Sequence, residues 1–306
     1  MKYLDRMIVF GVAGVSVLVF TACETVNQIT EIGTAAAVGA GVIHQDDADS
    51  INRSMKATTK AFEDITPEQE YYIGRSVAAS LLAQYTPDDE RVLNHYINVL
   101  GQTLSKGSSK PETYGGYHFQ VMNADEVNAF AAPGGLIMVS KGLLRCCKNE
   151  DELAAVLAHE VGHVQNEDGL RAISTSRLTS ALTIIAAESA KGFGGQELAE
   201  LTQAFEGSIN DITQTLVVNG YSRGQEYQAD AAAVKIMQQM GYDPHALISM
   251  LEEMKKRISH DQLGFAKTHP DPADRIAEIR KQLGAPFARH YPPERQRRFE
   301  TATAAL

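Results

Sequence analysis

Two histidines four residues apart, with a glutamate directly after the first, are the residues of this chain best placed to do chemistry: His159-Glu160-Val161-Gly162-His163 spells H-E-x-x-H. On a helix, residues four apart lie about 40° apart around the axis and one turn apart along it, so both imidazoles reach one ion from the same face. The ligand type and spacing suit zinc. Glu160 then points toward the open side of the metal, where a carboxylate takes a proton from water.

The surrounding residues predict the helix that this geometry needs. Asn149 is an N-cap with Glu152 at the third helical position, and Leu153, Val156, Leu157, Glu160 and Val164 follow at the spacing of a capped, amphipathic helix. Gly162 costs such a helix up to about 1 kcal/mol relative to alanine, which predicts a close neighbour there. Two histidines leave a tetrahedral site incomplete, so a third ligand must come from elsewhere. Asn166 and Gly169 stand where the metzincin pattern needs Gly and His, which excludes that subclass. The other common solution is a glutamate on a later helix with an acidic residue one turn beyond, and Glu226 with Asp230 fits. Asp230 would accept a hydrogen bond from the free ring nitrogen of a ligand histidine. A random E-x-x-x-D is a pair of solvated charges. Here the run Ala231, Ala232, Ala233, Val234, Ile236 and Met237 instead predicts a helix packed on another helix.

With Ala158 before His159, with Ser222-Arg223-Gly224-Gln225-Glu226-Tyr227-Gln228-Ala229-Asp230, and with Thr268-His269-Pro270, the chain resembles family forty-eight of the metallopeptidases over residues 63–283. Asn128 to Gly135 also resembles the strand region that precedes the active-site helix in that family. The resemblance implies zinc held by His159, His163 and Glu226, with Glu160 as base and Asp230 behind a ligand. It implies that His269 and Arg275, six residues apart, lie over the metal as catalytic hydrogen-bond donors to the oxyanion. In some members the equivalent histidine occupies the open metal position instead, and both roles remain open for His269. The family's sheet edge implies that an extended polypeptide binds at Asn128, Ala129, Phe130, Gly135, Leu136 and Ile137 through main-chain hydrogen bonds. Substrates implied at family level are misfolded or unassembled envelope proteins.

The start of the chain bounds the compartment. Lys2 and Arg6 flank an apolar stretch, residues 7–20, too short to span a bilayer comfortably and suited to the core of a signal peptide over residues 1–22. Phe20-Thr21-Ala22-Cys23 resembles a bacterial lipobox, with Phe where Leu is usual. Acylation at Cys23 would supply a stable membrane anchor. Glu24 is not the Asp that keeps many lipoproteins on the inner membrane. The expectation is an exported lipoprotein on the periplasmic side of the outer membrane, given a Gram-negative source. Residues 23–62 form a Gly/Ala-rich and then polar spacer.

The remaining elements give an α+β domain, mostly helical and zincin-like, over residues 63–285, with a small sheet beside the active-site helix. Thr66-Pro67-Glu68-Gln69 opens a helix to about Gln84, a second spans about 88–104, and strands are expected at 117–123 and 136–139. Residues 170–221, broken by Gly192-Phe193-Gly194-Gly195, suggest a movable lid or a static hairpin in equal measure. Residues 286–306, basic at Arg295, Arg297 and Arg298, are expected to be a loosely ordered or interacting tail. No tetratricopeptide-like repeat is expected from the residues after the domain. Cys146 and Cys147 are adjacent, poorly placed for a disulfide and expected as small buried hydrophobes. A formal charge of -10 argues against a nucleic-acid partner. A lipid-anchored chaperone or assembly factor with a structural or latent zinc site is the competing function, and intact Glu160 favours the enzyme. A membrane-embedded prenyl protease is disfavoured because hydrophobic spans are lacking.

Overall fold

The computed structural model describes residues 65–173, 195–258, 269, 272–283 and 292–306, with backbone alone for 195–204, all within the compact unit Ala61–Leu306. The signal, lipobox and spacer expectations, Cys23 included, lie outside the described residues, as do 174–194 of the expected lid or hairpin. Helix α1 (Pro67–Leu82) starts at a complete capping box, Thr66 and Gln69 bonding each other's backbone N–H with Pro67 at the first position. Helix α2 (Arg91–Ser105) begins three residues later than the spacing predicts. Asp88 is drawn out of it into an ion pair with Lys141, and Glu90 caps the helix instead.

Three strands follow, β1 (His118–Met122), β2 (Ala129–Ala132) and β3 (Leu136–Ser140), in the order β1-β3-β2, parallel between β1 and β3 and antiparallel between β3 and β2. The central place of β3 corrects the expectation that Leu136 and Ile137 offer a free edge, because both flanks of that strand are already paired. The β1 edge is closed by α2. Asn94 Oδ1 accepts from Val121 N–H at 2.9 Å, and Asn98 takes both the N–H and the carbonyl of Phe119. Two asparagines one turn apart thus imitate a strand, leaving β2 as the outer edge of the sheet among the described residues. The β2–β3 turn is a 3-10 stretch, Pro133–Gly135, in which Gly134 has φ 73 and its N–H donates to buried Glu70 at 3.0 Å.

After α3 (Lys141–Leu144), helix α4 (Glu150–Gln165) carries H-E-x-x-H. Asn149 caps it by accepting from Glu152 N–H at 2.9 Å. Every residue from Glu150 to Val164 is buried, which corrects the amphipathic expectation: α4 runs through the core with neighbours on all sides. The larger apolar cluster joins its Leu153, Val156, Leu157 and Val161 to α2, β1 and β3. A short α5 (Asp168–Arg171) follows, then α6 (Gly195–Gln214), which ends in a π-helical turn, Thr215–Asn219. The helix-breaking region therefore contains a long helix. Helix α7 (Arg223–Gln239) lies along α4, and a Cβ on Gly162 would sit 2.9 Å from the carbonyl oxygen of Ala229. Glycine there sets how closely the two metal-bearing helices approach.

Helices α8 (His245–Ile258), α9 (Pro272–Leu283) and α10 (Pro293–Thr303) complete the unit. The last corrects the loose basic tail. Phe299 and Ala302 are buried, Arg298 pairs with Glu150, and Arg295 Nη1 lies 3.0 Å from Asp151 Oδ1. Its arginines neutralise the acidic first turn of α4. Cys146 and Cys147 are buried thiols outside any disulfide, as their setting predicts. No helix among the described residues is long and apolar enough to cross a membrane.

Candidate metal centre

Four buried side chains from three places in the chain converge: His159 and His163 on α4, Glu226 in the first turn of α7, and His269 before α9. One ligand atom from each lies within 4.8 Å of the others. The two histidine Nε2 atoms are 3.1 Å apart. Glu226 Oε2 lies 3.5 Å from His159 Nε2, and Glu226 Oε1 lies 3.5 Å from His163 Nε2. Ligands bound tetrahedrally at 2.0–2.1 Å sit about 3.3 Å from one another, so this His/His/Glu set fits zinc.

The other ring nitrogens are held by carboxylates. His159 Nδ1 lies 3.0 Å from Asp230 Oδ1, as the one-turn spacing predicts, and His163 Nδ1 lies 2.8 Å from Asp168 Oδ2. A carboxylate only accepts, so each Nδ1 carries a proton, and a metal ion at Nε2 would take the place of the second proton of each ring. Asp168 was not among the residues singled out from the sequence. The signal available was the need of His163 for the same kind of acceptor that Asp230 gives His159. Gln225 Nε2 donates to Asp168 at 3.2 Å, while its Oε1 accepts from Ser222 N–H, so the capping box that starts α7 also steadies the partner of His163.

Arg275 is held by carboxylates. Its Nε and Nη2 donate to the two oxygens of Asp230 at 2.8 and 2.6 Å, and Nη1 lies 3.0 Å from Glu226 Oε2. It does not line the cavity beside Glu160. The guanidinium is thus placed to hold Asp230 and Glu226, its planar fork matched to the carboxylate behind His159. His269 does line that cavity, with Nδ1 2.7 Å from Glu226 Oε1.

Burial opposes charge at every one of these groups, so the direction in which each titrates reports whether burial or a neighbour prevails. Burial raises Asp230, but Arg275 holds it at about 2. Burial likewise raises Glu226, yet His269 and Arg275 keep it well below the usual carboxylate range. Burial lowers His163, but Asp168 and Glu226 bring it up to about 10. Burial dominates at His269, which is lowered. Four buried carboxylates, Glu160, Asp168, Glu226 and Asp230, belong to this cluster, and Arg275 is the one guanidinium paired within it. Such a set calls for added positive charge, which a divalent cation supplies.

Both oxygens of Glu160 are buried without a hydrogen-bond partner among the described residues. They face a cavity of about 10 Å³ lined by Ala129, Phe130 and Ala131 of β2, by Leu216 and Tyr221, and by His269. Tyr221 stacks on His163, with ring centroids 4.3 Å apart. Of the residues expected to bind substrate, Ala129 and Phe130 reach this cavity, whereas Asn128, Gly135, Leu136 and Ile137 do not line it. A much larger groove, about 520 Å³, lies between α2 and α10, and none of its lining residues belongs to the cluster.

A buried H-E-x-x-H helix with a glutamate ligand from a later helix defines a zinc metallopeptidase centre. The chain belongs to peptidase family M48, whose model matches residues 92–283. It is 28% identical over 249 residues to the beta-barrel assembly-enhancing protease of Escherichia coli K12, a match covering 81% of this chain and 50% of that protein. It is 31% identical to the mitochondrial metalloendopeptidase OMA1 of Schizosaccharomyces pombe over 72% of this chain and 58% of that one. It is also 31% identical to metalloprotease LoiP of Escherichia coli K12 over 55% of this chain and 63% of that one. The chain spans about half the length of the first of these relatives.

Proposed function

We propose that this chain is a zinc-dependent endopeptidase of the bacterial cell envelope that cleaves misfolded or unassembled envelope proteins. The observation that carries the reading is Glu160: a buried carboxylate without a hydrogen-bond partner among the described residues, in the cavity that His269 and Tyr221 share with the edge of β2. His159, His163 and Glu226 would hold the zinc. When bound, it lowers the pKa of a water toward about 7 and polarises the scissile carbonyl. Glu160 accepts the proton of the attacking water and delivers it to the leaving amine. Asp168 and Asp230 fix the ring orientation of the histidines, and Arg275 fixes Asp230 and Glu226. The backbone of Ala129 and Ala131 receives an extended substrate through main-chain hydrogen bonds, which accounts for broad specificity toward unfolded chains.

Localisation follows from the start of the chain. Residues 1–22 serve as a signal peptide, Cys23 is acylated, and residues 23–62 link the anchor on the periplasmic side of the outer membrane to the catalytic domain. An envelope role is in keeping with a relative whose name describes enhancement of β-barrel assembly. One observation favours a latent form of the enzyme: about 10 Å³ holds roughly one water and no peptide, so substrate entry needs movement of residues that line the cavity. The test is cleavage of casein by the zinc-loaded protein beside Glu160→Gln, with zinc measured in both. Cleavage by the parent alone at equal zinc content is the expected result. Equal cleavage by both proteins would remove Glu160 as the base, and zinc without cleavage would favour the latent or chaperone form.

A further inference from the structure

The hydroxyl of Tyr221 has no hydrogen-bond partner among the described residues, although the residue is only 8% exposed. Its stacking on His163 does not explain the oxygen, because a phenylalanine would stack as well and would not bury an unmatched donor. Buried polar groups without partners are rare enough to need a cause. The oxygen's neighbours supply one. Tyr221 lines the cavity beside Glu160 together with Ala129, Phe130 and Ala131, so it stands at the edge of β2.

The outer edge of β2 is short of main-chain donors. Ser140 N–H donates to the carbonyl of Asn128 at 3.0 Å, one step beyond the Ala129–Val139 pair of the register. Asn128 therefore faces β3, and the two-residue alternation of an antiparallel pair turns Ala129 and Ala131 outward. Ala129 N–H is already given to Asn128 Oδ1 at 2.9 Å. Of these two outward positions only Ala131 offers a main-chain donor.

We propose that the Tyr221 hydroxyl supplies a donor that this edge lacks, binding a main-chain carbonyl of the polypeptide laid along β2. The inference rests on the peptidase reading above and assigns a substrate contact to a residue outside the metal ligands. It also explains why the oxygen is retained at the cost of an unmatched buried donor, since its partner arrives with the substrate.

The test is Tyr221→Phe, made in the full chain and in the Glu160→Gln background, with zinc measured in every protein. Binding of a fluorescent casein-derived peptide to the zinc-loaded Glu160→Gln protein is expected to weaken about tenfold on adding Tyr221→Phe. Cleavage by Tyr221→Phe alone should show the same change in KM, with zinc content equal to the parent's and thermal stability equal or higher. Unchanged peptide affinity and unchanged KM would overturn the proposal. Loss of zinc in Tyr221→Phe would overturn it too, by making the residue a support for His163. If the parent holds zinc yet neither binds nor cleaves peptide, the peptidase reading itself fails, and that outcome is separable from the others because it needs no variant.

Discussion

Each ligand histidine needs an acceptor for its Nδ1 proton, and the two acceptors here are of unequal legibility. Asp230 follows Glu226 by one helical turn, so a spacing argument finds it. Asp168 sits five residues beyond His163 on a different helix, and it returns to that ring because Glu167 adopts a left-handed conformation, φ 58, that reverses the chain. Nothing in helical periodicity signals that turn. Both arms of the support act through the ligands, so Asp168→Ala and Arg275→Gln are each expected to lower zinc affinity about 10- to 100-fold. Competition with a chromogenic chelator measures this. If Arg275→Gln kept full zinc affinity and lost only kcat, the guanidinium would be a donor to the reacting carbonyl after all, as the family resemblance first implied. The H-E-x-x-H residues and Glu226 were readable because metal geometry restricts spacing. The partners of Arg275 were not, since six residues from His269 to Arg275 say nothing of which way a guanidinium turns.

At the scale of elements, the decisive contact is the one between α4 and α7. A glycine inside a strong helix predicted a close neighbour, and the carbonyl of Ala229 is that neighbour. Gly162→Ala would place a methyl group 2.9 Å from a backbone oxygen, which cannot retreat as a flexible side chain would. The two helices must then part, at about 1–3 kcal/mol, although alanine is the better helix former. Because His163 is one residue beyond Gly162 and Glu226 is one turn before Ala229, the same displacement widens the metal set. A lower melting temperature together with weaker zinc binding is expected. A rise in melting temperature at unchanged zinc affinity would show that propensity outweighs packing here. The burial of α4 on every side was less legible than its existence, because alanines at positions 154, 155 and 158 suit both an exposed face and a tightly packed one. Likewise the short apolar run at 136–139 marks a strand without saying whether it is central. Its place between β1 and β2 depends on Asn94 and Asn98 of α2, which occupy the far edge of β1.

The whole molecule is closed by its last helix, and this is where charge patterning read in isolation misleads most. Arg295, Arg297 and Arg298 look like a solvated basic tail until the first turn of α4 is considered with them. That turn places Glu150, Asp151 and Glu152 at a helix N-terminus, where the helix dipole favours negative charge, but it buries them. Tyr96 and Tyr242 donate to Glu150 at 2.9 and 3.1 Å, and Arg298 adds the positive charge, while Arg295 pairs with Asp151 and lies over the ring of Tyr242. The side chain of Glu150 is 0% exposed against 51% for Arg298, so water screens the arginine more than the carboxylate. Removing both arginines leaves two acidic side chains buried at the start of the helix that carries the metal ligands. Arg295→Ala with Arg298→Ala is therefore expected to destabilise the protein by about 1–3 kcal/mol, below the cost of a fully enclosed pair because half of Arg298 is already in solvent. The metal ligands lie at the other end of α4, so zinc stoichiometry at low temperature should be retained while the melting temperature falls. A double variant that melts with the parent would return these residues to the status of a loose basic tail. One that lost zinc without losing stability would mean that α10 sets the position of α4 along its axis as well as neutralising its start.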